Sequence, residues 1–270
     1  MTKLLQESQT QNSLKTDSSK EYTLREATII AASDLIKDGD AVFIGQGLPV
    51  IVALFAKRHH APNCVIMHEY GVVDTDPPFA VELAHPLFAE NATYLCDMID
   101  ALGCLLHNID IALLGAAQID KYANVNTTTT GNYFSPKVRI SGSGGANDIG
   151  SIAPRLALIM DRQSSDKFPE RVDYLTTPGN FSGLKKTRKE LGLPGGGVDT
   201  VFTDVGIYKA SHRTGELILN SLHHGVTIDE AKRKTGWKMK IAKSVSSLVP
   251  PSKEDVQLLR SLDPRMVYLR

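Results

Sequence analysis

The chain is poor in cysteine and tryptophan and has no excess of charge of either sign. Its 270 residues include three cysteines, Cys64, Cys96 and Cys104, and one Trp. The cysteines are odd in number and lack C-x-x-C spacing, which excludes a disulfide framework and a four-cysteine zinc site. They are expected to be small buried hydrophobes in a reduced, cytoplasmic protein. Lys+Arg and Asp+Glu both number 30, so the formal net charge is zero. Such a chain lacks the basic surface that non-specific nucleic-acid binding needs, and it lacks a polybasic membrane patch. No apolar run approaches the roughly 18 residues of a membrane-spanning helix. The opening residues have no apolar core of the kind a secretory signal carries. There is no G-x-x-x-x-G-K-[ST] and no G-x-S-x-G, so P-loop and serine-hydrolase readings fail. The pairs His59-His60 and His223-His224 have no third ligand at suitable spacing, and no metal is expected.

What is present is an ordinary globular composition, 42% hydrophobic and 22% charged, arranged as alternating helices and apolar runs. Residues 1–20 are rich in Ser, Thr, Gln and Asn and are expected to be a disordered tail. Order begins at Thr23, where Thr-Leu-Arg-Glu is a capping box with Glu26 reaching back. Leu24, Ala27, Ala31 and Leu35 recur at helical spacing up to Gly39. Apolar runs at Ala41–Ile44, Cys64–Met67, Thr93–Cys96, Ile109–Leu114, Leu156–Met160 and Val172–Leu175 read as strands. Helices are predicted at Pro49–Arg58, Met98–His107, Thr227–Gly236 and Ser252–Leu262. A hairpin is predicted from Val201–Lys209 and Glu216–Asn220 around Ser211–Gly215. Continuous rather than alternating apolar strands separated by helices predict an α/β fold, a mostly parallel sheet with helices on both faces. No repeat, heptad run or linker divides residues 21–270, which read as one domain.

In parallel α/β sheets ligands bind beyond the carboxyl ends of the strands. Three polar or Gly-rich segments fall at such ends: Gly45–Pro49, Glu69–Gly71 and Gly115–Asn126. A fourth, Ser141-Gly142-Ser143-Gly144-Gly145-Ala146-Asn147-Asp148, precedes a helix predicted to start near Asn147. Its glycines let the backbone approach a ligand with N–H groups exposed, which suits a phosphate or a developing oxyanion, or else mark a plain surface turn. Glu69 is a carboxylate placed directly after buried apolar residues. It is either a turn residue or a partly desolvated nucleophile. Gly45-x-Gly47 resembles the start of a dinucleotide fingerprint. The third glycine position holds Val50, however, and Pro49 stands at the turn, so NAD is not expected.

Taken together, these segments resemble the small (B or β) subunit of the family I CoA-transferases, on the side of the glutaconate type. Gly45-Gln46-Gly47-Leu48-Pro49 is similar to that family's G-x-G-x-P, and Glu69-Tyr70-Gly71 to its E-x-G. Gly115-Ala116-Ala117-Gln118-Ile119-Asp120 with Asn124-Val125-Asn126 is similar to its G-A-x-Q-[IV]-D…G-N-x-N. Ser141–Asp148 is similar to its G-x-G-G-A-x-D loop. Thr177-Pro178-Gly179 and Leu191–Gly195 look like the glutaconate branch. The resemblance implies that Glu69 is the catalytic nucleophile. It implies that Gly144, Gly145 and Ala146 serve the oxyanion and the CoA, and that Gln46, Gly47, Tyr70, Gln118 and Asn126 are candidates for the substrate pocket. It further implies coenzyme A as acyl-CoA substrate (acetyl-CoA, for example), a carboxylic acid such as glutaconate, and an A-type partner subunit in a hetero-oligomer. Ala123 stands where the family commonly has Gly, Tyr70 replaces a smaller residue, and His68 precedes the glutamate. Decarboxylases and hydrolases of the same fold lack the glutamate, so Glu69 favours transfer. Acyl-CoA hydrolysis, decarboxylation and non-catalytic acyl-CoA binding are the alternatives.

Overall fold

The computed structural model describes residues 21–180 and 187–270; the expected tail, 1–20, lies outside them. The capping box forms as predicted. The Thr23 hydroxyl accepts from the Glu26 N–H at 3.2 Å, and the Thr23 N–H donates to Glu26 at 2.7 Å. It starts α1 (Leu24–Ser33). Strand β1 (Ala41–Ile44) leads into α2 (Leu48–His59), with Pro49 in its first turn where a missing N–H costs nothing. Then come β2 (Val65–His68), β3 (Val72–Val73), β4 (Tyr94–Leu95), α3 (Met98–Gly103) and β5 (Ile111–Gly115). Two small ribbons follow, β6 (Gln118–Ile119) with β7 (Val125–Asn126), and β8 (Thr129–Asn132) with β9 (Ser135–Arg139). The rest is α4 (Ala146–Ile152), β10 (Leu156–Ile159), β11 (Val198–Phe202), β12 (Gly206–Ala210), β13 (Leu217–Leu222), α5 (Ile228–Arg233), β14 (Lys240–Ser247) and α6 (Lys253–Leu262).

Ten strands form one sheet in the order β14-β13-β12-β11-β10-β5-β1-β2-β3-β4. Its centre, β11-β10-β5-β1-β2, is parallel throughout. The reason is legible in the apolar runs: β10 is buried along its whole length, as a strand covered on both faces must be. Alternate residues divide between the faces. Val42 and Ile44 of β1, Ile111 and Leu113 of β5 and Ile159 of β10 pack with Ile51 and Phe55 of α2 and Leu259 of α6. Phe43, Ala112, Leu114 and Leu158 pack on the other side with Ile149 of α4. From β1 the chain moves one way to β2, and later returns to the other side of β1 as β5. The order reverses there, and this is where a parallel sheet opens a crevice at its carboxyl edge.

Three expectations are corrected. Val172–Leu175 is not a strand, and it is flanked by two isolated bridges, Pro169 to Gly236 and Thr177 to Val125. Asp173 there is a tether, accepting the Gly131 N–H at 2.8 Å. Val201–Lys209 is not one strand. The Thr203 hydroxyl accepts the Val205 and Gly206 N–H groups and turns the chain back, so β11 and β12 run antiparallel. Of the cysteines only Cys64 is buried; Cys96 is half-buried, and Cys104 is exposed at the end of α3. Among the described residues, no helix is long and apolar enough to cross a membrane.

Candidate active site

Glu69 leaves the end of β2 as the first central residue of a turn. The turn is closed by the Gly71 N–H donating to the His68 carbonyl at 3.0 Å. Gly71 is required at its end. Its φ is +82°, and a Cβ there would lie 1.9 Å from the Cys96 carbonyl oxygen. The chain can therefore pass the turn and bond Cys96, whose N–H donates to the Gly71 carbonyl at 2.8 Å, only if that residue has no side chain. The glutamate is half-buried.

The glycine loop comes to meet it from 76 residues away. The Gly145 N–H donates to Oε2 of Glu69. A Cβ on Gly144 would stand 3.1 Å from Oε1, and one on Gly145 would stand 2.5 Å from Oε2 and 2.8 Å from Leu102 of α3. The loop is clamped at its base by Thr127. The Gly142 N–H donates to the Thr127 carbonyl at 2.8 Å, and the Thr127 hydroxyl donates to the Gly142 carbonyl at 2.7 Å. The expectation for Ala146 is modified, because its N–H is taken by the Ser143 carbonyl at 2.9 Å.

Around this pair lies a cavity of about 680 Å³, lined by Gln46, Gly47, Tyr70, Gly144 and Ala146 among others. That volume is in the range of small-molecule sites. It sits at the carboxyl ends of β1, β2 and β5, where the strand order reverses. Gln46 and Gly47 on its lining are exposed, and so is Tyr70, at 40%. Its lining includes two more carboxylates, Glu82 and Asp161, the latter paired with Arg25 at 2.5 Å.

Two of the predicted pocket residues are not brought there. Gln118 and Asn126 are buried in the β6/β7 ribbon and bonded to each other, the Asn126 amide donating to the Gln118 carbonyl oxygen at 2.7 Å. The Asn126 amide also donates to the Thr129 carbonyl at 2.6 Å, and its own oxygen accepts the Thr128 N–H at 2.9 Å. Asp120 accepts the Tyr122 and Asn124 N–H groups and shapes the turn between the two strands. Burial pushes its carboxyl up from the ordinary range despite those bonds. Thr127, the residue after this ribbon, is the one that bonds the glycine loop. The polar motif signals a buried network here, and sequence spacing does not distinguish that from a pocket. Thr127 and Leu102 were missed because a threonine in a threonine run and a leucine in a helix carry no chemical signal.

Comparison with known proteins decides the family. The coenzyme A transferase profile matches residues 106–234. The chain is 34% identical over 258 residues to the B subunit of glutaconate CoA-transferase from Acidaminococcus fermentans, covering 92% of this chain and 96% of that one. This chain belongs to the coenzyme A transferase family. Within the family it is also 33% identical over 247 residues to the B subunit of 3-oxoadipate CoA-transferase from Pseudomonas knackmussii, covering 90% and 94% of the two chains. The crystal structure of glutaconate coenzyme A-transferase from A. fermentans matches with a TM-score of 0.84 at 31% identity, over 93% of this chain and 98% of that one. The transferase family thus accounts for the fold. Both relatives are B subunits, named for different acids.

Proposed function

We propose that this CoA-transferase chain is a B-type subunit that moves CoA between an acyl-CoA and a carboxylic acid, a dicarboxylate such as glutaconate, with Glu69 as nucleophile. The observation that carries the reading is the Glu69 carboxylate facing the cavity with the Gly145 N–H on one of its oxygens.

The chemistry follows from that arrangement. A Glu69 oxygen attacks the acyl carbon of the thioester. The carbon–sulfur bond breaks, CoA leaves as thiolate, and a mixed anhydride remains. The thiolate then attacks the glutamyl carbon, the anhydride carbon–oxygen bond breaks, and the first acid leaves as carboxylate. Glu69 now carries CoA as a thioester. The second acid attacks that carbon, and the two steps run in reverse. No net proton is gained or lost. In each attack on the glutamyl carbon, the negative charge develops on a Glu69 oxygen of the kind that Gly145 already contacts. One such donor is worth about 3 kcal/mol of transition-state stabilisation. The oxyanion role expected for the loop is thereby assigned to Gly145, acting on the nucleophile's own carbonyl. Anhydride and thioester both hydrolyse, so the site must exclude water. A partner of the A type, which the naming of the relatives supports, would close the open side.

Borohydride tests this directly, because it reduces thioesters and spares free carboxylates. With acyl-CoA and no acceptor acid, it should inactivate the enzyme and modify the peptide containing Glu69. Without acyl-CoA it should do nothing. Glu69→Gln should reduce transfer to background while CoA still binds. Modification of a different carboxylate, or substantial transfer by Glu69→Gln, would reject the assignment. Hydrolysis of acyl-CoA with no label exchange between acid and acyl-CoA would place the enzyme among hydrolases.

A further inference from the structure

We propose that His68 is a positioning residue for Glu69: its ring nitrogen Nδ1 accepts the Tyr70 backbone N–H and so locks the turn that presents the carboxylate. The inference rests on Glu69 being the nucleophile.

Glu69 and Tyr70 are the central residues of the His68–Gly71 turn. The Gly71 N–H is satisfied by the His68 carbonyl at 3.0 Å. The Tyr70 N–H is satisfied by His68 Nδ1 at 3.1 Å. One residue thus holds the turn twice, once through its backbone and once through its side chain. Asn and Asp commonly accept such an N–H two residues on; here an imidazole does so. The ring is itself immobilised. His68 is 1% exposed and stands edge-on to Phe88, with centroids 4.7 Å apart, and to Tyr70 at 5.6 Å.

The other ring nitrogen makes the case for a specific role. A neutral imidazole has one donor and one acceptor nitrogen. Since Nδ1 accepts, Nε2 carries the proton, and Nε2 is buried with no hydrogen-bond partner among the described residues. A buried unpartnered N–H is destabilising. An apolar side chain of similar size would avoid that penalty, but would leave the Tyr70 N–H without its acceptor. What the ring contributes is therefore the turn. Burial pushes the imidazole pKa down to about 4, so the Nδ1 lone pair is present at neutral pH. A carboxylate displaced by about 1 Å loses on the order of a hundredfold in rate, so a looser turn registers in the chemical step.

The test uses the complete enzyme with its A-type partner and variants His68→Leu, His68→Ala and His68→Asn. The readouts are the single-turnover rate at which acyl-CoA loads Glu69, trapped by borohydride, the KM for acyl-CoA, and the melting temperature. His68→Leu and His68→Ala should load at least about tenfold slower, with KM within about twofold of the parent. His68→Asn, whose Oδ1 can accept the same N–H, should load within a few-fold of the parent. It should do so although its smaller side chain leaves space in the core and lowers the melting temperature. Asn and Ala both leave such space, so a difference between them isolates the acceptor even if the Leu variant does not assemble. Parental loading by an apolar variant, or Asn no faster than Ala, would overturn the proposal. If the parent enzyme itself forms no adduct, the nucleophile reading fails, and this inference fails with it.

Discussion

The Gly145 N–H and the Glu69 carboxylate are in direct contact, and the space between them admits no side chain: a Cβ at position 145 would stand 2.5 Å from Oε2. Both groups that such a Cβ would meet, the Glu69 carboxylate and the tip of Leu102, are the ends of flexible side chains. The consequence of adding a methyl group is therefore a displaced carboxylate rather than a broken fold. Gly145→Ala should lower turnover by about a hundredfold, the scale of one lost oxyanion donor. The melting temperature of the complex should stay within a few degrees of the parent. Near-parental turnover, measured on the same preparation, would show that the loop is only a turn.

The chain should depend on its partner for activity. Tyr70 lines the cavity and is itself exposed to solvent, and the proposed intermediates do not survive water. Purified alone, the chain is expected to fold and show no transfer. Mixed or co-expressed with an A-type subunit it should co-purify and become active, with ping-pong kinetics, because the first acid leaves before the second enters. Full transfer by the isolated chain would refute this.

Gln118 and Asn126 should behave as scaffold. Asn126 is fully buried and bonds to Gln118, Thr128 and Thr129. Asn126→Ala would remove the bonds to Thr128, Thr129 and Gln118, the last of which still accepts the Asp173 N–H, and should cost about 1–3 kcal/mol of stability by urea unfolding. At temperatures where the variant is folded, its KM for the acid should be close to parental. A large rise in KM without loss of stability would return Asn126 to the pocket.

Ala123 holds a strained position. Its φ is +59° in the turn from Asp120 to Asn124, and it is fully buried. The left-handed conformation costs an L-residue about 1–2 kcal/mol, against about 0.5–1 kcal/mol of extra chain entropy for glycine. Ala123→Gly should therefore stabilise the protein by about 0.5–1 kcal/mol, read as a higher urea midpoint with an unchanged slope. A lower midpoint would show that the methyl group's packing outweighs the strain.

Acid should loosen the first helix. Burial raises the Glu26 carboxyl, but bonds from Arg260 and Thr23 outweigh it and hold the group below its ordinary value of 4.5. A carboxyl with a depressed folded pKa contributes stability at higher pH and loses that contribution as pH falls below the ordinary value. Arg260 bonds Glu26 through two nitrogens, at 2.6 and 3.2 Å. Arg260→Ala should cost about 1–3 kcal/mol at pH 7 and lose less than the parent between pH 6 and pH 3.5. Equal losses in both proteins would exclude Glu26 as the titrating group.

The helix starts and the buried strands were determined by the sequence alone. Thr23 and Glu26 cap α1 by local hydrogen bonds, and the runs at Ala41–Ile44 and Leu156–Met160 are apolar throughout because both faces of those strands are covered. Strands β8, β9 and β14 were not legible, because they carry no apolar run, and β9 and β14 are also largely exposed. The glutamate and the glycine loop were each visible as motifs, and each had a plain reading as a turn. Their meeting was a matter of tertiary structure. Glu69 and Gly145 are 76 residues apart. They touch because β5 returns beside β1, on the side away from β2, and so brings the chain that follows it over the carboxyl ends of all three strands. The same folding drew Gln118 and Asn126 away from the cavity. A polar side chain satisfies its hydrogen bonds equally well in a buried network or in a pocket, and only the packing of β6 against β7 decided between them.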